Sequence, residues 1–443
     1  MNVKSYFYKL IQRYLQLFIR ATDVVVEIDP MNDFLVSNLE CKNISKLLTE
    51  EPIGLDNSKK KSSEIFRPLS KLQVDYILLN GNFHYIRDIQ FFMTELFKVL
   101  NGNERIIVTY YNSIWKPFIS LATKLRLRKK LPEQNWIAHE DIDNLMLLSG
   151  YEVVRRDSKV LCPIYIPIVS SLLNKFFSPL PFFRWFNLLN FAIIRPKKNY
   201  FKTAPSVSIV VPARNEEGNI ENIVRRIPKM GPKDELIFVE GNSTDSTWAK
   251  IQEVTKINKY KLNIKICQQE GKGKGDAVRK GFSIATKEIF MILDADLTVP
   301  PEDLPKFYDA ITENKGEFIN GSRLVYPMEK KAMKFFNILG NKFFAMAFSY
   351  VLSQRFKDTL CGTKVLTKEN YLKIVKNRGY FGEFDPFGDF DLIFGSARMG
   401  LKIVEVPIGY KERTYGDTNI QRWKHGVILL RMLVFAARKI KFL

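Results

Sequence analysis

Histidine is nearly missing from this chain of 443 residues: His84, His139 and His425 are the three, and they lie far apart. That scarcity argues against a histidine metal centre or a histidine-based triad. Cysteine is equally sparse. Cys41, Cys162, Cys267 and Cys361 show no metal-type spacing, which reads as reduced thiols in a cytosolic compartment. No stretch reaches the roughly 18 uninterrupted apolar residues of a membrane span. The N-terminal MNVKSYFYKLIQRYLQLFIR is a basic amphipathic pattern without the marks of a cleavable signal. Acidic residues are in deficit, 47 against 68 Lys plus Arg, for a net charge of +21. Such a balance favours anionic partners: nucleic acid, acidic lipid or phosphorylated substrates. The basic residues do not interleave with aromatics as in a nucleic-acid module, so no nucleic acid is expected. Hydrophobic content of 46% and charged content of 26% are those of a globular protein long enough for two or three domains.

Helical spacing of Phe7, Leu10, Ile11, Tyr14, Leu15 and Phe18 predicts one helix over residues 1–20. Residues 21–195 then alternate strand and helix patterns. Strands are expected at 23–29, 74–79, 105–109 and 151–154, with a helix over 91–100, which implies a doubly wound α/β domain. The stretch 163–194 is rich in Phe, Leu and Pro but is interrupted by Lys175 and Arg184. It reads as a surface buried between domains or as a docking or lipid-interface patch. Residues 196–205, PKKNYFKTAP, read as a linker. Residues 206–443 form the second domain.

Within that domain the apolar run Ile289–Leu293 reads as a buried strand that stops abruptly at Asp294-Ala295-Asp296. Open α/β sheets bind ligands at strand C-terminal ends. Two carboxylates there suit one hard cation, Mg²⁺ or Mn²⁺, with phosphate oxygens completing its shell. The plainer alternative is that Asp294 caps the next turn and Asp296 is solvated.

The segments VDYILL, NFHYIRDIQFFMTELFKVL, ERIIVTYYN and NWIAHEDIDNLMLLSGYEVV resemble the second half of the class I S-adenosylmethionine-dependent methyltransferases. The first half departs from that family. Its cofactor rests on a Gly-rich turn after strand one, whereas this chain has Glu27 to Asp33 there, and its first glycine is Gly54. The resemblance therefore implies a truncated, degenerate methyltransferase-like domain over 1–195, in which Asp29 and Asp33 are turn residues and S-adenosylmethionine is not expected.

VSIVVPARNEE, IFVEGNSTDST, GKGKGDAVRKGF, ILDADL and INGSR resemble, in order and spacing, the family-2 glycosyltransferases with their GT-A fold, a Rossmann-like mixed sheet. Over about 206–425 the chain looks closest to the polyprenyl-phosphate (dolichyl-phosphate mannose synthase-like) branch, through GSR, DTLCGTKVL and KERTYGDT. The resemblance implies an inverting, metal-dependent transfer of a sugar from a GDP- or UDP-linked donor. Pro212, Arg214, Glu216, Glu240, Lys274, Asp294 and Ala295 would bind the donor, and Asp294 and Asp296 the metal. Arg323 and Arg413 would bind phosphate of donor or acceptor, and Asp389, Asp296 and Arg323 would be catalytic. Where the branch has a Lys beyond Arg413, this chain has Asn419.

The acceptor expected is polyprenyl phosphate or another membrane lipid, on the cytosolic face of an anionic membrane. A glycan or glycolipid hydroxyl is the alternative, with Asp389 as base. Asp389 reads equally as the N-cap of the helix that follows it. Two further alternatives belong to other classes, an active methyltransferase and a non-enzymatic membrane scaffold. Residues 335–352 and 426–437 are too polar or too short to span a bilayer, and the latter reads as an amphipathic helix lying in the interface.

Overall fold

The computed structural model describes residues 3–49, 66–126, 135–257, 259, 262–327, 335–380, 388–413, 415–416 and 422–442. The chain divides into two compact units, Met1–Lys198 with Arg438–Leu443, and Asn199–Ala437.

The first unit is an α/β layer structure on six strands: β1 (Val24–Ile28), β2 (Asn43–Leu47), β3 (Tyr76–Asn80), β4 (Arg105–Tyr111), β5 (Tyr151–Lys159) and β6 (Leu189–Pro196). Their order is β2-β1-β3-β4-β6-β5. The β2-β1-β3-β4 portion is parallel, and β6 runs antiparallel between β4 and β5. The apolar, β-branched runs of β1 and β3 are buried, as strands covered on both faces must be. Helix Ile89–Val99 packs Phe92, Met93 and Leu96 into the same core as Ile77, Leu79, Ile106 and Val108.

Three sequence expectations change here, and one strand was not foreseen. Edge strand β2, NISKL, is largely exposed, and its polar composition gave no strand pattern. The stretch 163–194 does not behave as one surface. Leu189 onward is a fully buried central strand, whereas Ile168 and Trp185 are 76% and 72% exposed. Pro196, taken as the first linker residue, closes β6 opposite Tyr151. The last residues, assigned by sequence to the second domain, group with the first unit: buried Lys441 places Nζ 2.8 Å from Asp157 Oδ1.

The second unit has seven strands: β7 (Val207–Ala213), β8 (Glu235–Glu240), β9 (Asn263–Gln268), β10 (Ile289–Ile292), β11 (Phe318–Ser322), β12 (Lys364–Thr367) and β13 (Ile403–Pro407). Their order is β13-β11-β12-β10-β7-β8-β9. Strands β10, β7, β8 and β9 are mutually parallel, and β12 is antiparallel to both β10 and β11. This is the Rossmann-like mixed sheet expected of a GT-A domain. Val207, Ile209, Val211, Phe238, Met291, Ile220 and Phe307 belong to one core cluster beneath the sheet. The parallel block puts the C-terminal ends of β7, β8 and β10 side by side on one edge, where α/β sheets bind ligands.

Candidate active site

β7 delivers Pro212 within the strand and Arg214 just past it. Its partner β8 ends at Glu240, paired with Ala213. Two hydrogen bonds lace the following turns together. The Asn215 N–H donates to Ser243 Oγ at 3.0 Å, and the Thr244 N–H donates to Asn215 Oδ1 at 2.8 Å. Asn215 and Asn242 both adopt φ +56°, a left-handed conformation that Asn tolerates. Glu240 is buried, and its carboxylate accepts from the Ser243 N–H at 2.5 Å and from Gln268 Nε2 at 2.9 Å. It holds the turn from within, and Arg214 is the exposed side chain beside it.

Glu216 sits at the entrance to helix Glu217–Arg226. Burial raises its carboxyl above the ordinary value, against the pull of Arg413. Arg413 Nη1 lies 2.8 Å from Glu216 Oε1, and Nη2 lies 2.8 Å from Asp296 Oδ2. One guanidinium thus ties the end of β7 to the turn after β10. The other oxygen of Asp296 accepts from the Thr298 N–H at 3.1 Å and Thr298 Oγ1 at 2.8 Å. Leu297 between them is held at φ +53°, unusual for a branched residue, so this turn carries backbone strain.

Asp294 faces Lys274, whose Nζ is 2.6 Å from Oδ1. Burial would raise this carboxyl, but Lys274 overrides it and holds the group below the ordinary range. Burial likewise opposes the charge on Lys274, and Asp294 and then Asp389 lift it above the usual lysine value. Lys274 opens helix Lys274–Ile284, immediately after Gly273 at φ +86°. Ala295 is buried between the two aspartates.

Asp389 is the first residue of helix Asp389–Arg398. The cap position belongs to Gly388, in the left-handed region at φ +72° and packed against Gly275, so the expectation of Asp389 as N-cap is corrected. Lys364, fully buried in β12, has Nζ 3.0 Å from Asp389 Oδ1, close enough for an ion pair though not aligned as a hydrogen bond. Arg323 follows β11 directly, but its fork is taken by Asp358, with Nε at 2.7 Å and Nη2 at 2.9 Å. Its guanidinium also lies 5.0 Å from the Tyr410 ring centroid.

The structure therefore brings Glu216, Asp296 and Arg413 together, and Lys274, Asp294 and Asp389 near one another. Arg323 belongs to a carboxylate clamp, and Asn419 lies outside the described residues. Sequence reasoning held Asp358, Gly362 and Lys364 only within DTLCGTKVL and gave them no individual role. Gly362 packs against the Asp294 carboxylate and Lys274 Nζ, so that a side chain there would collide with both.

Among the described residues no three His, Cys, Asp or Glu side chains converge as a metal cage. Asp294 Oδ2 takes no hydrogen bond from a described residue. Asp294 and Asp296 offer hard carboxylate oxygens that suit Mg²⁺ or Mn²⁺ completed by phosphate oxygens. On donor chemistry the pair fits such a cation.

Residues 208–363, all within the second unit, match the family model described as Glycosyl transferase family 2. The match ends before Lys364, Asp389 and Arg413. Over 221 residues the chain is 32% identical to a dolichol-phosphate mannosyltransferase of Pyrococcus furiosus, covering 48% of this chain and 59% of that protein. It is 27% identical over 235 residues to a dolichyl-phosphate hexose transferase of Haloferax volcanii, covering 52% of this chain and 94% of that one. Among solved structures it is similar to glucosyl-3-phosphoglycerate synthase of Mycobacterium tuberculosis in complex with Mn²⁺ and UDP-glucose. That likeness has a TM-score of 0.39 and 16% identity, covering 53% of this chain and 79% of that one.

Proposed function

We propose that the second unit is an inverting glycosyltransferase that moves a sugar from a nucleotide-sugar donor to polyprenyl phosphate at the cytosolic face of a membrane. The observation that carries this reading is the acid–base cluster at the ends of β7, β8 and β10, in which Arg413 spans Glu216 and Asp296 while Lys274 holds Asp294. The names of the relatives, lipid-phosphate mannosyl and hexosyl transferases, agree with it.

Charge balance supports a divalent cation. Among the described residues, Glu216, Asp294, Asp296, Asp358 and Asp389 form ion pairs with Arg413, Lys274, Arg323 and Lys364. A nucleoside diphosphate adds more negative charge, which the site must neutralise to bind it. Asp294 and Asp296 would hold Mg²⁺ or Mn²⁺, which supplies Lewis-acid stabilisation of the leaving diphosphate. Lys274, beside Asp294, adds a cation at the same place. Arg413 keeps Glu216 and Asp296 in register with the donor. Pro212, Arg214 and Glu240 shape the nucleotide side, Glu240 by fixing its turn.

A phosphate acceptor is already anionic and needs no proton removed. Asp389, paired with Lys364, then acts as an organiser of Lys274 and of the acceptor side. With a hydroxyl acceptor it would be the base. Asp389→Asn separates the two: activity falls by at least about a thousandfold for a hydroxyl acceptor, and about tenfold or less for a phosphate acceptor. Near-complete loss with polyprenyl phosphate would contradict the phosphate assignment.

Membrane association rests on two packed helices of the second unit, Phe335–Leu352 and Arg422–Ala436. They leave Leu339, Phe343 and Met346, and Val427, Leu430 and Val434, exposed at helical spacing, with Lys342 and Arg431 beside them. Among the described residues no helix is long and apolar enough to cross a membrane. Apolar strips flanked by cations suit a peripheral seat on an anionic leaflet. For the first unit we propose a degenerate methyltransferase-like domain, a reading supported by its mostly parallel sheet and by the missing Gly-rich turn after β1.

A further inference from the structure

The first unit holds a cavity of about 350 Å³, large enough for a small ligand or the head of a larger one. Lys9 and Arg13 reach it from helix Val3–Leu15, Lys159 from the end of β5, and Lys175 from the segment that follows. Among the described residues no carboxylate lines it. Lys9 and Arg13 stand four residues apart on one helix face, where like charges repel. Among the described residues, neither they nor Lys175 pair with an acid.

The carboxylate that acts on Lys159 is already claimed. Buried Asp157 accepts from Tyr14 Oη at 2.7 Å and Arg155 Nε at 2.7 Å, and Lys441 Nζ lies 2.8 Å away. Arg184 adds a further cation at 3.8 Å. Burial, and then Lys441, Arg155 and Arg184, press Lys159 down to about 7 in spite of Asp157. The region thus carries positive charge in excess of its own acids, which is costly unless an anion arrives.

The rest of the wall is part polar, through Ser170, Ser171 and Asn174, and part apolar. Leu10, Tyr165 and Ile168 line the cavity, and Tyr165 and Ile168 continue into a surface where Ile164, Ile166 and Leu172 are exposed. Solvated loops rarely present such a run. A cationic pocket that opens onto an apolar surface matches a ligand with an anionic head and a hydrocarbon chain.

We propose that this cavity binds the phosphate group of an amphiphile, seated among Lys9, Arg13, Lys159 and Lys175, with its apolar chain along the Ile164–Leu172 surface. The site lies in the first unit, apart from the residues assigned to glycosyl transfer, and does not depend on that assignment. The same head chemistry occurs on a membrane lipid and on a soluble phosphate, and the two sources separate by experiment.

The full chain is floated with phosphatidylcholine vesicles with and without phosphatidic acid, and its thermal unfolding is followed in inorganic phosphate at constant ionic strength. The K9A/R13A variant removes two exposed cations, and K175A is a second, single-site variant. K229A/K233A removes the same charge from exposed positions of the second unit. Binding to the acidic vesicles is expected to weaken roughly fivefold per charge removed from the pocket, hence about 25-fold for K9A/R13A, and to hold in the control. Phosphate that raises the unfolding temperature of the wild type but not of K9A/R13A, without vesicle binding, supports the same site with a soluble ligand. Equal loss in pocket and control variants, or no response to vesicles or phosphate, overturns the proposal.

Discussion

Lys274 Nζ stands 2.6 Å from Asp294 Oδ1, an ion pair that joins the first turn of a helix to the end of the central strand β10. Gly362 closes over this pair from the β12 side and leaves no room for a methyl group. The atoms in the way are the tips of flexible side chains rather than backbone. Gly362→Ala is therefore expected to fold, with an unfolding temperature within a few degrees of wild type, while displacing the Asp294 carboxylate. A shift near 1 Å at reacting groups costs on the order of a hundredfold in rate. Steady-state kinetics beside a melting curve checks this, and an unchanged kcat would contradict the placement of Asp294.

Arg413 is the second tie, and it depends on a planar fork. Lysine keeps the charge but cannot satisfy Glu216 and Asp296 at once. Arg413→Lys is expected to lower kcat/KM by at least about tenfold, and Arg413→Ala further, through loss of a charge-assisted pair worth roughly 1.5–3 kcal/mol. Wild-type kinetics in the lysine variant would show that the bridge is incidental.

In the first unit, burial raises the Glu27 carboxyl to about 7, against the Asn80 hydrogen bond and Lys46. A folded-state value above the unfolded 4.5 means that the protonated form is the better tolerated one. Its contribution is whole below pH 4.5 and is lost as pH rises through about 7. Glu27→Gln stays neutral. It is expected to match wild type near pH 5 and to exceed it above pH 8, by on the order of 3 kcal/mol at most. Stability curves that run parallel across this range would refute the buried acid.

Lys441 reaches Asp157 across 284 residues of sequence. In Lys441→Met the aspartate keeps Arg155 and Tyr14, so the cost should fall below the roughly 3–5 kcal/mol of a wholly broken buried pair, near 2 kcal/mol. Thermal unfolding measures it, and a variant as stable as wild type would mean that the C-terminal residues do not anchor there.

Strand ends were legible to within about two residues because each apolar, β-branched run changes character there: Val211 before Pro212, Val239 before Glu240, Leu293 before Asp294, although β7 runs on to Ala213 and β8 to Glu240. Pairings that close over long separations were not. Arg413 could be named as a phosphate ligand, but its bridge to Glu216 spans 197 residues and no local pattern carries it. Lys364 lies in a quoted motif, but its pairing with Asp389, 25 residues later, has no local pattern. Arg323 reads as a free fork because Asp358 occurs 35 residues later. Edge strand β2 lacks alternation, and β6 was hidden in an aromatic-rich stretch many of whose other residues are exposed.

The most direct test is transfer of labelled sugar from a panel of UDP- and GDP-sugars to polyprenyl phosphate, with Mg²⁺ or Mn²⁺, by wild type and by Asp296→Asn checked for folding by circular dichroism. The wild type is expected to form a lipid-linked sugar from at least one donor, and the variant to lose that activity with its fold intact. Transfer by Asp296→Asn at the wild-type rate, or no donor turned over or bound by the wild type, would contradict the account.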